Sequence, residues 1–185
     1  MVFEPLLIKQ EGYYCNVEGD SGGETWEGIA RNDYPDWKGW ALIDAHKDKL
    51  PSNDRKGWQI FSTFLRTLAE LQPLVDEFYK TDFWNAFSGD QINNQSIANY
   101  IGDWGVNAGL SVPVKHVQEI LGISVDGKVG PNTIQAINSP NGQDLFNKLI
   151  QARIDFYEAV VKAHPNDQQF LSNWLSRAKA FTYTA

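Results

Sequence analysis

The helical spacing of apolar residues in the last third of the chain constrains the fold most strongly. Apolar side chains recur there every three or four residues, as expected for helices that bury one face. One long predicted helix ends at His164, before Pro165, and its inner positions are Leu145, Leu149, Ala152, Phe156 and Val160. The final helix has on its inner face Phe170, Trp174, Leu175, Ala178 and Phe181. No convincing strand appears in the sequence, so we expect a mainly α fold with at most a small β-hairpin near residues 13–30.

The first half of the chain shows the same period between helix starts and breaks. Pro35 suits the first position of a short helix that runs to about His46. Ser52 or Asn53 is a suitable cap for a long helix, which we expect Pro73 to kink or restart.

Glycine and proline divide the second half into helices. Gly109 and Gly122 are placed to end two of them. The run DGKVGPNT at 126–133 predicts a turn, and Pro131 suits the start of a further helix. Gly130, just before it, allows an unusual backbone angle.

The domain organisation follows from length and from one polar run. A chain of 185 residues can form one generous domain or two small ones. The polar, turn-prone run SGDQINN at 88–94 is the best internal boundary. We therefore expect a boundary near residue 92, which separates domains at 3–92 and 93–182.

Composition excludes several classes of function. The net charge of -7 argues against nucleic acid as a partner, because such binding depends on Lys and Arg that neutralise phosphates. The single cysteine, Cys15, cannot form an internal disulfide. The histidines, His46, His116 and His164, lack metal-ligand spacing. We expect no metal and no cofactor.

The N-terminal run MVFEPLLIKQEGYY lacks the basic and long apolar regions of a secretory signal. The apolar runs also fall short of the roughly 20 residues that span a bilayer. We expect synthesis in the cytoplasm without an evident signal peptide, and no membrane insertion.

A carboxylate at the end of an apolar stripe is the main candidate for chemistry. Phe3, Leu7 and Glu11 follow one another at one-turn spacing, which places Glu11 on the inner face of an N-terminal helix, before a turn-rich loop. The negative end of a helix favours the protonated carboxyl that a general acid needs. The alternative is a surface glutamate near a helix end, since carboxylates are mostly exposed.

Two motifs together resemble a known family. Glu11-Gly12-Tyr13-Tyr14, with the loop that follows to Ile29, resembles the catalytic segment of glycoside hydrolase family 108, whose signature is E-G-G-Y. Tyr13 stands where that signature has its second glycine. The run at 126–133 is similar to the D-G-x-x-G-P-x-T turn of the peptidoglycan-binding domain that usually follows it. The resemblance covers residues 3–182 and implies a helical, lysozyme-like fold.

The resemblance implies that Glu11 is the catalytic acid. Many phage lysozymes place a Glu, eight residues, an Asp, five residues and a Thr on a helix-to-hairpin unit. Here eight residues separate Glu11 from Asp20, and four separate Asp20 from Thr25. We take Asp20 and Thr25 as the catalytic partners. Rival second carboxylates are Glu18, Glu24 and Glu27.

Several polar and aromatic residues are candidates to line a sugar-binding groove, although each has a packing alternative. They are Tyr13, Tyr14, Asn16, Trp26 and Asn107. The turn at 126–133 either contacts the cell wall or only shapes its own backbone.

The main hypothesis is an N-acetylmuramidase that cleaves the β-1,4 bond between N-acetylmuramic acid and N-acetylglucosamine. The alternative is a non-catalytic peptidoglycan-binding protein that assists secretion, and a third class is a purely structural or protein-interaction role. The resemblance, to a family with phage endolysins and secretion activators, implies peptidoglycan glycan strands as partner. It also implies action in the cell wall or periplasm after passage through a holin or secretion pore. We expect a monomer.

Overall fold

The computed structural model of the protein describes residues 14–139 and 141–185. Glu11 and Tyr13, two of the candidate site residues, lie outside this part of the chain. The chain divides into two compact units, Met1–Thr81 and Asp82–Ala185. The boundary expected near residue 92 therefore lies inside the second unit. Compact units and sequence domains are defined differently, so the domain boundary stays a prediction.

A small antiparallel sheet begins the described part of the first unit. Its three strands follow chain order: β1 is Tyr14–Cys15, β2 is Thr25–Trp26 and β3 is Ile29–Ala30. The register aligns a buried row on one face of the sheet, formed by Tyr14, Trp26 and Ile29. The opposite face carries the less buried Cys15, Thr25 and Ala30. The sheet thus turns one apolar face into the core and one toward solvent, as antiparallel sheets often do.

The turn between β2 and β3 is formed by Glu27 and Gly28. Both have positive φ, 46° and 82° respectively, as a two-residue hairpin of the type that matches strand twist requires. The hydroxyl of Tyr79 donates a 2.6 Å hydrogen bond to the Glu27 carbonyl oxygen. A Cβ atom at Gly28 would lie 2.7 Å from that hydroxyl. Both the backbone angle and the close approach of Tyr79 therefore favour glycine at position 28.

Three α-helices complete the described part of the first unit: α1 is Gly39–Ala45, α2 is Arg55–Leu65 and α3 is Leu71–Tyr79. The cap of α2 is Asp54, whose carboxylate accepts a 2.8 Å hydrogen bond from Gly57 N. The expected cap at Ser52 or Asn53 is thus wrong by one or two positions. Pro73 lies in the first turn of α3, where proline is tolerated, and the break between α2 and α3 precedes it.

The second unit contains the longer helices. Asp82 and Trp84 belong to a π-helical turn at Lys80–Trp84 that spans the boundary of the two units along the chain. The helices that follow are α4 at Gln95–Ala108, α5 at Ser111–Leu121, α6 at Pro131–Asn138, α7 at Gly142–Ala163 and α8 at Gln168–Lys179. Gly109 and Gly122 end α4 and α5 with positive φ, as expected. These elements confirm the mainly α, lysozyme-like fold.

The turn at 126–133 is held by a glutamine that the sequence analysis did not single out. Gln118 is 1% exposed. Its Oε1 accepts hydrogen bonds from Asp126 N at 3.0 Å and Gly127 N at 2.9 Å. Its Nε2 donates to Asp126 Oδ1 at 2.8 Å. The positive φ of this turn, 71°, belongs to Gly127, and Gly130 is extended, so the unusual angle expected at Gly130 is wrong.

A buried ion cluster lies in the core of the second unit. Asp103 on α4 is 1% exposed, and Arg153 on α7 is fully buried. Arg153 Nη1 donates to Asp103 Oδ2 at 2.9 Å. Arg177 on α8 donates from Nε to Oδ2 at 3.0 Å and from Nη2 to Oδ1 at 2.7 Å. One carboxylate therefore joins three helices of the same unit.

Candidate functional site

A cleft of about 480 Å³ opens in the first unit beside β1. The strands contribute one group of lining residues, Tyr14, Cys15, Thr25 and Gly28. Helix α2 and its C-cap residue contribute the other group, Arg55, Trp58, Gln59, Ser62, Thr63 and Arg66. The cleft therefore begins at the residue that follows the E-G-Y segment of the sequence, and it is large enough for a ligand of several rings.

The lining side chains of α2 form one face of that helix, which we call the α2 wall. Their spacing of three or four residues places them above one another along the axis. The buried apolar residues of the same helix, Phe61 and Leu65, lie on the core side. Ser62 joins the wall to the sheet, because its Oγ accepts a 3.0 Å hydrogen bond from Tyr14 N.

The loop between β1 and β2 brings Asp20 and Thr25 close together. Asp20 is exposed, and its Oδ1 accepts a 2.8 Å hydrogen bond from Gly22 N. Thr25 Oγ1 donates to Gly23 O at 3.2 Å. A Cβ atom at Gly22 would lie 3.4 Å from Asp20 Oδ1 and 3.9 Å from Thr25 Oγ1. Both oxygens therefore lie against the same glycine, on one side of the loop, and Thr25 also lines the cleft.

The rival carboxylates have different surroundings. Glu18 is exposed. Glu24 forms ion pairs with Lys47 and, at 3.1 Å, with Arg31 Nε, so two cations hold it in the fold. Glu27 is 3% exposed and occupies the strained hairpin turn. Of the four acids in this region, Asp20 combines solvent access with proximity to Thr25.

Two of the predicted sugar-binding residues, Tyr14 and Trp26, are core residues in the structure. Each is only 2% exposed, so neither ring has a free face for a sugar. Tyr14 packs edge-on against Phe61 at 4.8 Å between ring centroids, and its hydroxyl accepts a 2.7 Å hydrogen bond from Lys47 Nζ. Burial raises the pKa of Tyr14 to about 12 and lowers the pKa of Lys47 to about 8. Both rings therefore pack in the core, which is the alternative to sugar binding that the sequence left open.

The other two predicted binding residues in the described part of the chain, Asn16 and Asn107, are more accessible. Asn16 is half-buried directly after β1. Asn107 is half-buried in the second unit, where its Oδ1 accepts a hydrogen bond from the Tyr157 hydroxyl. A sugar-binding role stays a prediction for both residues.

Within residues 14–139 and 141–185, no three His, Cys, Asp or Glu side chains are grouped to hold a metal ion. No helix in those ranges is both long and apolar enough to cross a bilayer.

The part of the chain that forms this cleft matches a known protein family. A family model described as Glycosyl hydrolase 108 matches residues 5–109, which is more than half of the chain. The chain belongs to the glycosyl hydrolase 108 family. A second model, described as Predicted Peptidoglycan domain, matches residues 112–179. The two matches confirm the family resemblance seen in the sequence and together support hydrolysis or binding of peptidoglycan.

Among solved structures, this glycosyl hydrolase 108 member is similar to SagA of Brucella abortus. The TM-score is 0.58 and the sequence identity is 20%, over 97% of this chain and 92% of that chain. At this identity the likeness shows the fold alone. No curated protein matches the chain.

The sequence analysis missed the α2 wall. The apolar spacing that predicted this helix counted Trp58 among the packing positions, and no binding role was assigned to the polar residues beside it. The signal was available, because Arg55, Trp58, Ser62 and Arg66 recur at helical spacing. Sequence alone could not show that this face borders a cleft rather than open solvent.

Proposed function

We propose that the protein is a peptidoglycan hydrolase of the N-acetylmuramidase type. It cleaves the β-1,4 bond between N-acetylmuramic acid and N-acetylglucosamine. The observation that carries this proposal is the glycosyl hydrolase 108 match over residues 5–109, which contains Glu11 in its E-G-Y-Y context. The cleft beside Tyr14, three residues after Glu11 in the chain, supports it.

In this proposal Glu11 donates a proton to the leaving glycosidic oxygen. Hydrolysis of this kind usually needs a second group that activates water or meets the developing positive charge. Asp20 suits that role because its carboxylate is exposed. In the same proposal Thr25 Oγ1, which lies against the same glycine as Asp20 Oδ1, hydrogen-bonds the attacking water molecule.

The test compares wild type with Glu11→Gln on isolated peptidoglycan. Replacing a general acid by its neutral isostere should lower the rate of release of reducing ends by about 10²- to 10⁴-fold. Mass spectrometry should find N-acetylmuramic acid at each new reducing end. Glu158→Gln, which removes an exposed carboxylate on α7, is the matched control and should leave the rate unchanged. Undigested peptidoglycan with wild type, or equal rates for wild type and Glu11→Gln, would refute the proposal.

The second carboxylate is assigned by the same assay. We expect Asp20→Asn to lose most of the activity, whereas Glu18→Gln should retain it. Loss of activity in Glu18→Gln alone would transfer the role to Glu18.

A second candidate function rests on Tyr13. A bulky ring where the family signature has glycine favours a protein that binds peptidoglycan and assists secretion without cleaving it. This candidate predicts sedimentation with peptidoglycan and no release of reducing sugar. Under either function we propose that the protein acts in the cell wall or periplasm, where its substrate lies, after passage through a holin or secretion pore.

A further inference from the structure

We infer that the α2 wall recognises a carboxylate carried by the substituents of the glycan, and that the guanidinium of Arg55 binds this carboxylate. The inference deepens the proposed function, because it concerns the same cleft and names which feature of peptidoglycan the cleft recognises. Such recognition distinguishes a glycan that bears lactyl or peptide carboxylates from a glycan of N-acetylglucosamine alone.

The described lining of the cleft is positively charged, whereas the chain as a whole is negative. The protein has a net charge of -7, yet the described residues that line the cleft include two guanidinium groups and no carboxylate. Arg55 and Arg66 lie at the two ends of the wall, about 16 Å apart along the axis at 1.5 Å per residue. Partial burial lowers the pKa of Arg66 from its ordinary value, and an arginine nevertheless stays protonated at neutral pH.

Arg55 is a cation of the α2 wall whose guanidinium can bind a ligand. Its side chain is exposed, and no ion pair or hydrogen bond engages its guanidinium within residues 14–139 and 141–185. The neighbouring Asp54 is already used as the cap of α2, through its bond to Gly57 N. By contrast, Arg31 and Lys47 of the same unit are both paired with Glu24. Arg55 therefore has no structural role in the described contacts that would account for its place on the wall.

Trp58 provides a flat surface one turn from Arg55. The indole is half-buried, and its Nε1 donates a 2.8 Å hydrogen bond to Asn53 Oδ1, which fixes the plane of the ring. Residues three apart on a helix are neighbours on its surface. A sugar stacked on Trp58 would therefore carry its substituent toward the guanidinium of Arg55.

The chemistry of the arginine selects the ligand. A guanidinium presents a planar fork of donors that fits a carboxylate through two parallel hydrogen bonds. Peptidoglycan supplies carboxylates on its stem peptides, and glycan strands stripped of peptide supply them on the lactyl ether. Chitin oligosaccharides, which consist of N-acetylglucosamine, supply none.

The experiment measures binding and hydrolysis separately for the full chain. Wild type, Arg55→Gln and Lys56→Gln are each assayed with intact peptidoglycan, with peptide-free glycan strands and with chitin oligosaccharides. Lys56 is the matched control, because it is exposed, carries the same charge on the next residue and does not line the cleft. Sedimentation and fluorescence titration give affinity, and release of reducing ends gives hydrolysis.

We expect Arg55→Gln to weaken binding to intact peptidoglycan by about 3- to 10-fold, whereas Lys56→Gln should change it by less than about 2-fold. The same loss on peptide-free strands would assign the lactyl carboxylate, and a loss confined to intact peptidoglycan would assign the stem peptide. The affinity for chitin oligosaccharides should be equal in the two variants. Equal effects of the two substitutions on peptidoglycan, or equal losses of Arg55→Gln on all three ligands, would overturn the inference. Failure of wild type to release reducing ends would instead refute the hydrolase proposal, because the binding assay does not depend on cleavage.

Discussion

Replacing Asp103 by asparagine is the sharpest test of what holds the second unit together. The carboxylate is the shared acceptor of Arg153 and Arg177, and all three residues are at least 95% buried. Asparagine keeps the shape of the side chain and removes its charge. The substitution therefore leaves two buried guanidinium groups without the anion that the native structure gives them.

The expected cost is large because buried charges lose most when their partner is removed. Removing one member of a buried ion pair typically costs about 3–5 kcal/mol. The cluster already holds two cations for one carboxylate, so we place Asp103→Asn in that range. The exposed pair of Asp144 and Lys148 on α7 provides the control, and Asp144→Asn should cost less than about 1 kcal/mol.

The assay is urea denaturation followed by far-UV circular dichroism and tryptophan fluorescence. The two signals should be analysed separately, because a chain with two compact units need not unfold in one step. Arg153→Met, made in the Asp103→Asn protein, removes one of the two unmatched cations. The double variant should recover part of the stability lost in Asp103→Asn. If Asp103→Asn and Asp144→Asn lower the free energy of unfolding equally, the buried cluster does not stabilise the second unit.

Two further predictions concern buried polar side chains. Gln118→Ala should lower the free energy of unfolding by about 1–3 kcal/mol, because it removes the acceptor of two part-buried N–H groups of the turn at 126–133, and amide hydrogen exchange at Gly127 should accelerate. Unimpaired protection of that amide would contradict the role given to Gln118. Burial raises the pKa of Tyr14 from 10.0 to about 12, so the folded state holds a proton that the unfolded state has lost between these pH values. The contribution of protonated Tyr14 to the free energy of unfolding is complete below pH 10. About 2–3 kcal/mol of this free energy should be lost as the pH rises to 12. Tyr14→Phe should show a shallower alkaline loss than wild type, and parallel curves would refute this.

The helices were predictable because their signals are local. Gly109 and Gly122 end helices through their own backbone freedom, and Pro131 starts α6 through its fixed φ. The cap at Asp54 was missed by one or two positions because several neighbouring polar residues are equally good caps, and only the geometry of the backbone selects one.

The site was less predictable because its residues depend on contacts distant in sequence. Tyr14 and Trp26 have the composition of a sugar-binding surface, and only the strand register shows that both belong to the buried row of the sheet. Asp20 and Thr25 were predicted as catalytic partners from a spacing, and their proximity depends on a tight loop around Gly22. Gln118 carries no motif of its own, so its role in the turn at 126–133 became visible only through its hydrogen bonds.

The packing of helix α4 limits where the chain can be cut into separate domains. By family match its residues belong to the hydrolase region, which extends to residue 109, but by packing they belong to the second unit. In that unit α4 packs against α5 and α7. A protein cut between the two matched regions would keep Asp103 and lose both of its arginines, and it would expose the apolar face that includes Ile101 and Trp104. The two matched regions therefore cannot be exchanged independently of each other. A chimera that replaces one region has to preserve the packing of α4 against α5 and α7.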